Sequence, residues 1–411
     1  MRPVSAWYPT EDSLVIEAGG PRVALYECDG IVHSPRSFAL SRLHLLSGTE
    51  ADILRNGLEV LPDEVHDFRG VKCCLTRSSE FATDPKPRGE AARSGARSAY
   101  WEECQIKLKG CRPVRTATVF PVDKIPFGKQ AIVREHTPFG VLQPEGVIRE
   151  LLGYCFFGKL GLPLVSRPAC IFEYQDAGET IGYCLLLESS GNDRVESLVG
   201  YPDLTIGDLL AMRENRRSNG VPVPLGSELS LRGLNIWWYV EEKARQLCIM
   251  HLAGGFRGVL NSNIGNDVLM RESSRRPCLF LCDFDSFEVR SIPIAPETSY
   301  LDAVVLRCIV EVAMGSLPIL ELVEIPEDCA TEERADRLGR VFFEKSTLWR
   351  AYQRQLFSSA GESGWSLDAL EDSIERMRRT LAFADVLSMC IPNSYFLREM
   401  SAERKLFYPH N

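Results

Sequence analysis

The stretch Cys278–Val289, CLFLCDFDSFEV, is the one on which the fold turns. An apolar run from Cys278 to Cys282 ends in Asp283-Phe284-Asp285, and the chain then becomes polar. A short continuous apolar run bounded by polar residues reads as a buried strand. Two carboxylates with an aromatic between them, at the end of such a strand, are either metal ligands or solvated acids. What precedes them decides between the two.

Immediately upstream, after the basic turn RESSRRP reversed toward the N-terminus, lies LNSNIGNDVLM, Leu260–Met270. It follows a long amphipathic helical pattern, WWYVEEKARQLCIMHLAG. Asn261 and Asn266 are five apart, the Asp-x-x-x-x-Asn spacing of a kinase catalytic loop, and Gly265-Asn266 runs into a strand. Taken alone, this is an Asn/Gly-rich turn. Further back, WEECQIKLKG alternates as a strand: Cys104, Ile106 and Leu108 share one face, Lys107 and Lys109 the other, and Gly110 closes it. PEGVIRELLGYCFFGKLGLP is an amphipathic helix opened by Pro144 and Glu145 and ended by Gly161 and Pro163. Glu150 lies on it, 41 residues after Lys109.

Transfer of a phosphoryl or nucleotidyl group needs a lysine on the phosphates, a carboxylate to hold that lysine, and oxygen ligands for magnesium. Lys109, Glu150, an asparagine of the 261–266 loop and Asp283 follow one another in that order. Each alone has a plain reading: a solvated edge lysine, a surface glutamate, a turn, a strand-end acid. Their order on suitable elements carries the inference.

The rest of the chain agrees with it. SRPACIFEY and IGYCLLLES are strands, the second continuous enough to be buried. Beyond Asp203 the pattern is mostly helical: the helix before the asparagine loop, SYLDAVVLRCIVEVAMG, and segments 331–356 and 367–390. The expected fold is α+β, a bilobal protein-kinase-like arrangement with a strand-rich N-lobe carrying one main helix and a mostly helical C-lobe. Residues 1–99 read as a β-rich extension, with a helix near Thr49–Asn56 closed by Gly57, followed by a flexible linker over Ser78–Ala99. Residues 100–190 form the N-lobe and 191–411 the C-lobe.

The totals exclude several classes. A net charge of −9 and a pI near 5.4 argue against a general nucleic-acid binder. The first residues lack an apolar h-region, and no apolar run reaches the roughly 20 residues needed to span a bilayer. Fourteen cysteines suggest disulfides, but Cys155, Cys184, Cys248, Cys278, Cys282, Cys308 and Cys390 sit in apolar segments and no Cys-x-x-Cys pair occurs. A reduced, intracellular, cytoplasmic protein without membrane or nucleic-acid partners is expected. The sequence does not address its oligomeric state.

ECQIKLKGCRP followed by FGVLQPEGVIRELLGYCFFGKLGLPLVSRP resembles selenoprotein O, a kinase-fold family that transfers AMP to protein hydroxyl groups. GGFRGVLNSN looks like that family's loop Gly-Phe-x-His-Gly-Val-Met-Asn-Thr-Asp-Asn. The likeness covers roughly 100–170 and 250–290, about a quarter of the chain. It implies ATP and Mg2+ as cofactors, Lys109 on phosphate, Glu150 orienting it and Asp283 on magnesium. It also implies an inverted nucleotide supported by arginines, for which Arg194 is the nearest candidate.

The departures are specific. The family's loop histidine is Arg257 here. An ungapped alignment sets Ser262-Asn263-Ile264 against Thr-Asp-Asn, losing both carboxylate and amide. Setting Ile264-Gly265-Asn266 against a kinase-type Pro-Gly-Asn puts Asn266 on the metal and Asn261 in the base slot, and starts the strand DVLM where it is expected. An amide cannot accept the proton of a hydroxyl group. Asp267 and Asp285 are spare carboxylates for that role, and Asp285 is alternatively a second metal ligand or a solvated acid. Three functions remain open: an ATP- and magnesium-dependent transferase moving AMP or phosphate onto a hydroxyl acceptor, a small-molecule phosphotransferase, and a nucleotide-binding pseudokinase that organises a partner. An α+β protein with coincidental motifs is the fourth reading.

Overall fold

The computed structural model describes residues 14–15, 24–27, 30–63, 74–75, 92–93, 98–101, 106–110, 142–176, 178–189, 199–200, 230–231, 234–258, 262, 266–270, 278–293, 296–324, 339–344 and 346–381. The chain divides into two compact units. The first comprises Met1–Thr118, Val133–Asn192 and Phe284–Phe287; the second comprises Val119–Ile132, Asp193–Asp283 and Glu288–Asn411. Helices and antiparallel strands occur in both, so the fold is mixed α and β. No helix among the described residues is long and apolar enough to cross a membrane.

The first unit is built on an antiparallel six-stranded sheet. Its strands are β1 (Gly30–His33), β2 (Ala92–Arg93), β3 (Ser98–Trp101), β4 (Ile106–Lys109), β5 (Ser166–Asp176) and β6 (Glu179–Ser189). Their spatial order is β1-β5-β6-β4-β3-β2. The long β5–β6 hairpin is its spine, turning at Gly178, whose φ of 81° suits glycine. Strand β4 lies inside the sheet, with Lys109 opposite Leu185 on β6 and Ser98 on β3.

Among the described residues, α1 (Pro35–Ser41), α2 (Gly48–Asn56) and α3 (Pro144–Lys159) are the α-helices of this unit. Pro144 opens α3 because its missing N–H is not needed in the first turn. The helix is buried almost all round, from Val147 to Phe157, since it packs on the sheet and on α1 and α2. Helix α2 starts with a reciprocal capping box: the Ser47 hydroxyl accepts from the Glu50 amide, and Glu50 accepts from the Ser47 amide. The segment read as an N-terminal extension therefore shares a sheet and a core with β4 and α3.

The second unit contains α4 (Ile236–Leu252), α5 (Thr298–Glu324), α6 (Thr347–Glu362) and α7 (Leu367–Thr380). Helix α4 packs on α6, and α5 on α6 and α7. Short antiparallel strands accompany them among the described residues: β7 (Gly255–Phe256) pairs with β10 (Glu288–Val289), β8 (Asp267–Met270) pairs with β9 (Cys278–Leu281), and Val199–Gly200, Ser230–Leu231 and Leu234–Asn235 form a small three-stranded sheet. Gly254 has φ 84°, and a Cβ there would collide with the carbonyl oxygen of Arg290, whose amide bonds back to Gly254 O at 2.9 Å.

Several boundaries differ from the sequence expectation. WEECQIKLKG does not form one strand: Trp101 ends β3 and pairs with Ile106, the first residue of β4, so the segment is a hairpin. The stretch 331–356 is interrupted at Ser346, whose hydroxyl accepts from the Trp349 amide at 3.1 Å and starts α6 afresh. Helix α7 ends at Thr380, where Leu381 turns extended, and 382–390 lie outside the described residues. Within the proposed linker, Ala92–Arg93 and Ser98–Ala99 are strand residues.

Candidate functional site

In the first unit, Lys109 and Glu150 meet. Lys109 Nζ donates to Glu150 Oε2 at 2.6 Å, with side chains 5% and 2% exposed. Strand β4 places the lysine, and the second turn of α3 places the glutamate. The same Oε2 accepts the backbone N–H of Phe284 at 2.7 Å, and the Tyr154 hydroxyl donates to Oε1 at 3.4 Å. A carboxylate buried this deeply is tolerable only because a cation and two further donors satisfy it.

The turn Phe284–Phe287 closes on itself through the Phe287 amide and Phe284 carbonyl, 2.8 Å apart. Phe284 and Phe287 lodge against Tyr154, Phe156 and Phe157 of α3. Between them, Asp285 is carried to 3.9 Å from Lys109 Nζ, its side chain 6% exposed, and accepts the Ser286 hydroxyl at 3.1 Å. The reading of Asp285 as a solvated acid is thus corrected: the aromatic anchors on either side draw it inward. The Lys109 ammonium thus faces both the Glu150 and the Asp285 carboxylates.

In the second unit, the β8–β9 hairpin brings the two proposed metal ligands to its open end. Asp267 pairs with Leu281, and Cys282 N donates to Asn266 O at 3.0 Å, so Asn266 lies across from the residue before Asp283. Asp283 has φ 72°, the only positive value at a non-glycine among the described residues. Asparagine and aspartate tolerate this left-handed conformation better than other side chains.

Asp267 does something other than expected. It is fully buried; Tyr239 OH donates to Oδ2 at 2.7 Å, Lys243 donates to the same oxygen, and Arg257 Nη1 donates to Oδ1 at 3.2 Å. A carboxylate locked by three donors with no exposure cannot reach an acceptor hydroxyl, which corrects its reading as a spare base. Arg257 also donates through Nη2 to the carbonyls of Asn266 (3.1 Å) and Cys282 (2.7 Å). It ties both strands of the hairpin at the end where Asn266 and Asp283 stand. Lys243 further donates to Ser262 O at 3.4 Å; burial lowers its pKa, opposed by Asp267. Gly315 on α5 leaves the space its ammonium occupies, 2.9 Å from where a Cβ would be.

A second buried polar group was also missed. His251 at the end of α4 bonds through Nε2 to Glu311 and through Nδ1 to Tyr352 OH, each at 2.7 Å. Glu311 also accepts Gly258 N at 2.8 Å, fixing the start of the loop that leads to the asparagines. Burial lowers the imidazole pKa, but Cys308 and Glu311 beside it outweigh burial and raise it to about 10. The signal was there for Lys243: with Tyr239 and Leu247 it repeats every four residues, so a charge interrupts the apolar stripe of α4.

Asn261 and Arg194, two further residues the sequence points to, lie outside the described residues. Cys155, Cys170 and Cys248 are free thiols whose pKa burial pushes up to about 12, the inert behaviour of core cysteines. Among the described residues, no group of three or more His, Cys, Asp or Glu is arranged to hold a metal ion. Magnesium asks for less, one or two carboxylates with phosphate and water oxygens, and an aspartate with an asparagine amide is a hard, oxygen-only pair of that kind. No protein-family model matches the chain, and no curated protein matches it.

Proposed function

We propose that the chain is a transferase of bilobal, protein-kinase-like fold that binds ATP with Mg2+ and moves AMP, or phosphate, onto a hydroxyl acceptor on a protein or small molecule. The observation that carries this reading is the buried Lys109–Glu150 pair, whose carboxylate oxygen also holds the Phe284 amide next to Asp283. A strand lysine buried among carboxylates is costly unless it has work beyond packing. Phosphate binding is the work that fits its place in the order Lys109, Glu150, Asn266, Asp283.

In this reading Lys109 neutralises nucleotide phosphate oxygens and Glu150 sets the lysine. Asp283 and Asn266 hold the magnesium, which when bound offsets charge on the phosphates. Arg194 supports an inverted nucleotide. For AMP transfer, the acceptor oxygen forms a bond to the α-phosphorus, the bond to the α–β bridging oxygen breaks, and pyrophosphate leaves with its electron pair. With Asn261 in the base slot, the acceptor proton passes to solvent or pyrophosphate. Rate enhancement then rests on positioning and charge neutralisation, which dominate a loose transition state.

The test is incubation of the protein and magnesium with ATP labelled at either the α- or the γ-phosphate. Covalent label from the α-position alone supports AMP transfer; from the γ-position alone, phosphate transfer. A second reading, a nucleotide-binding pseudokinase, is favoured by one observation: Asp267 is locked away from base duty. It predicts nucleotide binding by calorimetry with neither label transferred. Absence of binding as well would sink both readings.

A further inference from the structure

Arg149, the neighbour of Glu150 on α3, donates through Nη1 to two acceptors. One is the Phe287 carbonyl at 2.8 Å; the other is Glu50 Oε1 at 3.1 Å. Glu50 is 4% exposed, and its other oxygen takes the Ser47 amide at 3.0 Å in the α2 capping box. Helix α3 therefore grips the 284–287 turn at both ends: Glu150 holds the Phe284 amide and Arg149 holds the Phe287 carbonyl. Asp285 is suspended between these grips, 3.9 Å from Lys109. Around the ion pair, α2 is seated on α3 by the Cys155 thiol donating to Gly57 O at 3.2 Å and by Val60 against Gly158.

We infer that helix α2 is a positioning arm for the candidate site: Glu50 orients the Arg149 guanidinium, Arg149 sets the Phe284–Phe287 turn, and the turn holds Asp285 at Lys109. Glu50 and Arg149 are positioning residues: they act on the turn through the Glu50–Arg149 and Arg149–Phe287 hydrogen bonds. A guanidinium has its donors in a rigid fork, so a partner that fixes one edge fixes the direction of the rest. The first 63 residues thus reach the Lys109 cluster through two side chains. The catalytic consequence rests on the transferase reading above; the mechanical one does not.

Glu50→Gln is the discriminating variant. Glutamine at the third helical position still completes a capping box, so α2 keeps its start while Arg149 loses its charged partner. Amide hydrogen exchange needs no nucleotide and reads the turn directly, because the Phe284 and Phe287 amides are both bonded. The expected result is exchange about tenfold faster at Phe284 and Phe287, with the amides of Leu185–Leu187 in the sheet unchanged. Arg149→Met, which keeps the apolar stem, should give the same local pattern, and Arg55→Ala on the exposed face of α2 should give none. Unchanged exchange at the turn, or acceleration spread evenly over the sheet, overturns the inference. If the wild type transfers label, Glu50→Gln should lower kcat severalfold with KM for ATP within twofold. If the wild type transfers none, the transferase reading fails while the exchange result still decides this one.

Discussion

The ring of Phe284 lies on the bare backbone of Gly153, so close that a Cβ at 153 would overlap its Cβ and Cγ. This notch in α3 admits the Phe284 ring to the core of the first unit. Gly153→Ala raises helix propensity by about 1 kcal/mol, yet the overlap is expected to cost more, about 1–3 kcal/mol. Urea unfolding should show net destabilisation, and exchange at the turn should rise.

Glu150→Gln leaves the Lys109 ammonium buried, with the Asp285 carboxylate 3.9 Å away. Breaking a buried pair this way costs about 3–5 kcal/mol. Lys109→Met should cost less, because an apolar chain of similar shape fills the site. Both should abolish ATP-dependent thermal stabilisation. A Lys109→Met protein that ATP and magnesium still stabilise would remove the lysine from the site.

Asp283→Asn and Asp267→Asn should part ways. The first keeps the left-handed residue type and should leave the melting temperature nearly unchanged while label transfer is lost. The second strands Lys243 and Arg257 in a buried pocket without their shared carboxylate. It should destabilise by 3 kcal/mol or more, on the order of a broken buried ion pair. An Asp267→Asn protein of normal stability and no activity would restore the base assignment.

The imidazole of His251 supplies a pH signature. Its folded pKa, about 10, is raised above the ordinary imidazole value of 6.5. Between these values the folded state keeps a proton that the unfolded state has lost. Its contribution to stability is full below pH 6.5 and declines through the window up to about 10, at a limiting slope of about 1.4 kcal/mol per pH unit. Lys243, lowered by burial, contributes with the opposite sign toward its own ordinary range. The wild type minus His251→Asn difference isolates the histidine: it should shrink steadily from pH 6.5 to 9. A difference that stays flat over that window would refute a buried imidazolium.

What could be read from sequence follows the reach of the signals. The helix Pro144–Lys159, the hairpin strands Ser166–Asp176 and Glu179–Ser189 and the strand starting at Asp267 announce themselves by local pattern and caps. Lys109 and Glu150 were paired by order alone, across 41 residues. The pairing of Trp101 with Ile106 was illegible because Glu102-Glu103-Cys104-Gln105 holds neither glycine nor proline to signal a break. Two-residue strands are too short for a period of two to show. The Asp267 clamp draws on a helix, a loop and a strand, and nothing in the immediate context of Asp267 marks it as a hub. Glu50 and Arg149 lie 99 residues apart in ordinary helical surroundings.

The first unit borrows Phe284–Phe287 from far along the chain. During synthesis, the sheet and α3 have all been polymerised by Asn192, but the notch at Gly153 and the Glu150 oxygen still await their plug. The 95 residues from Asp193 to Phe287 must be added first, roughly 5–20 s of elongation. Until then the nascent chain carries an open apolar slot lined by Tyr154, Phe156 and Phe157. The lysine–glutamate pair is thereby completed late, and a chain truncated before residue 284 should be a client for chaperones rather than a stable half.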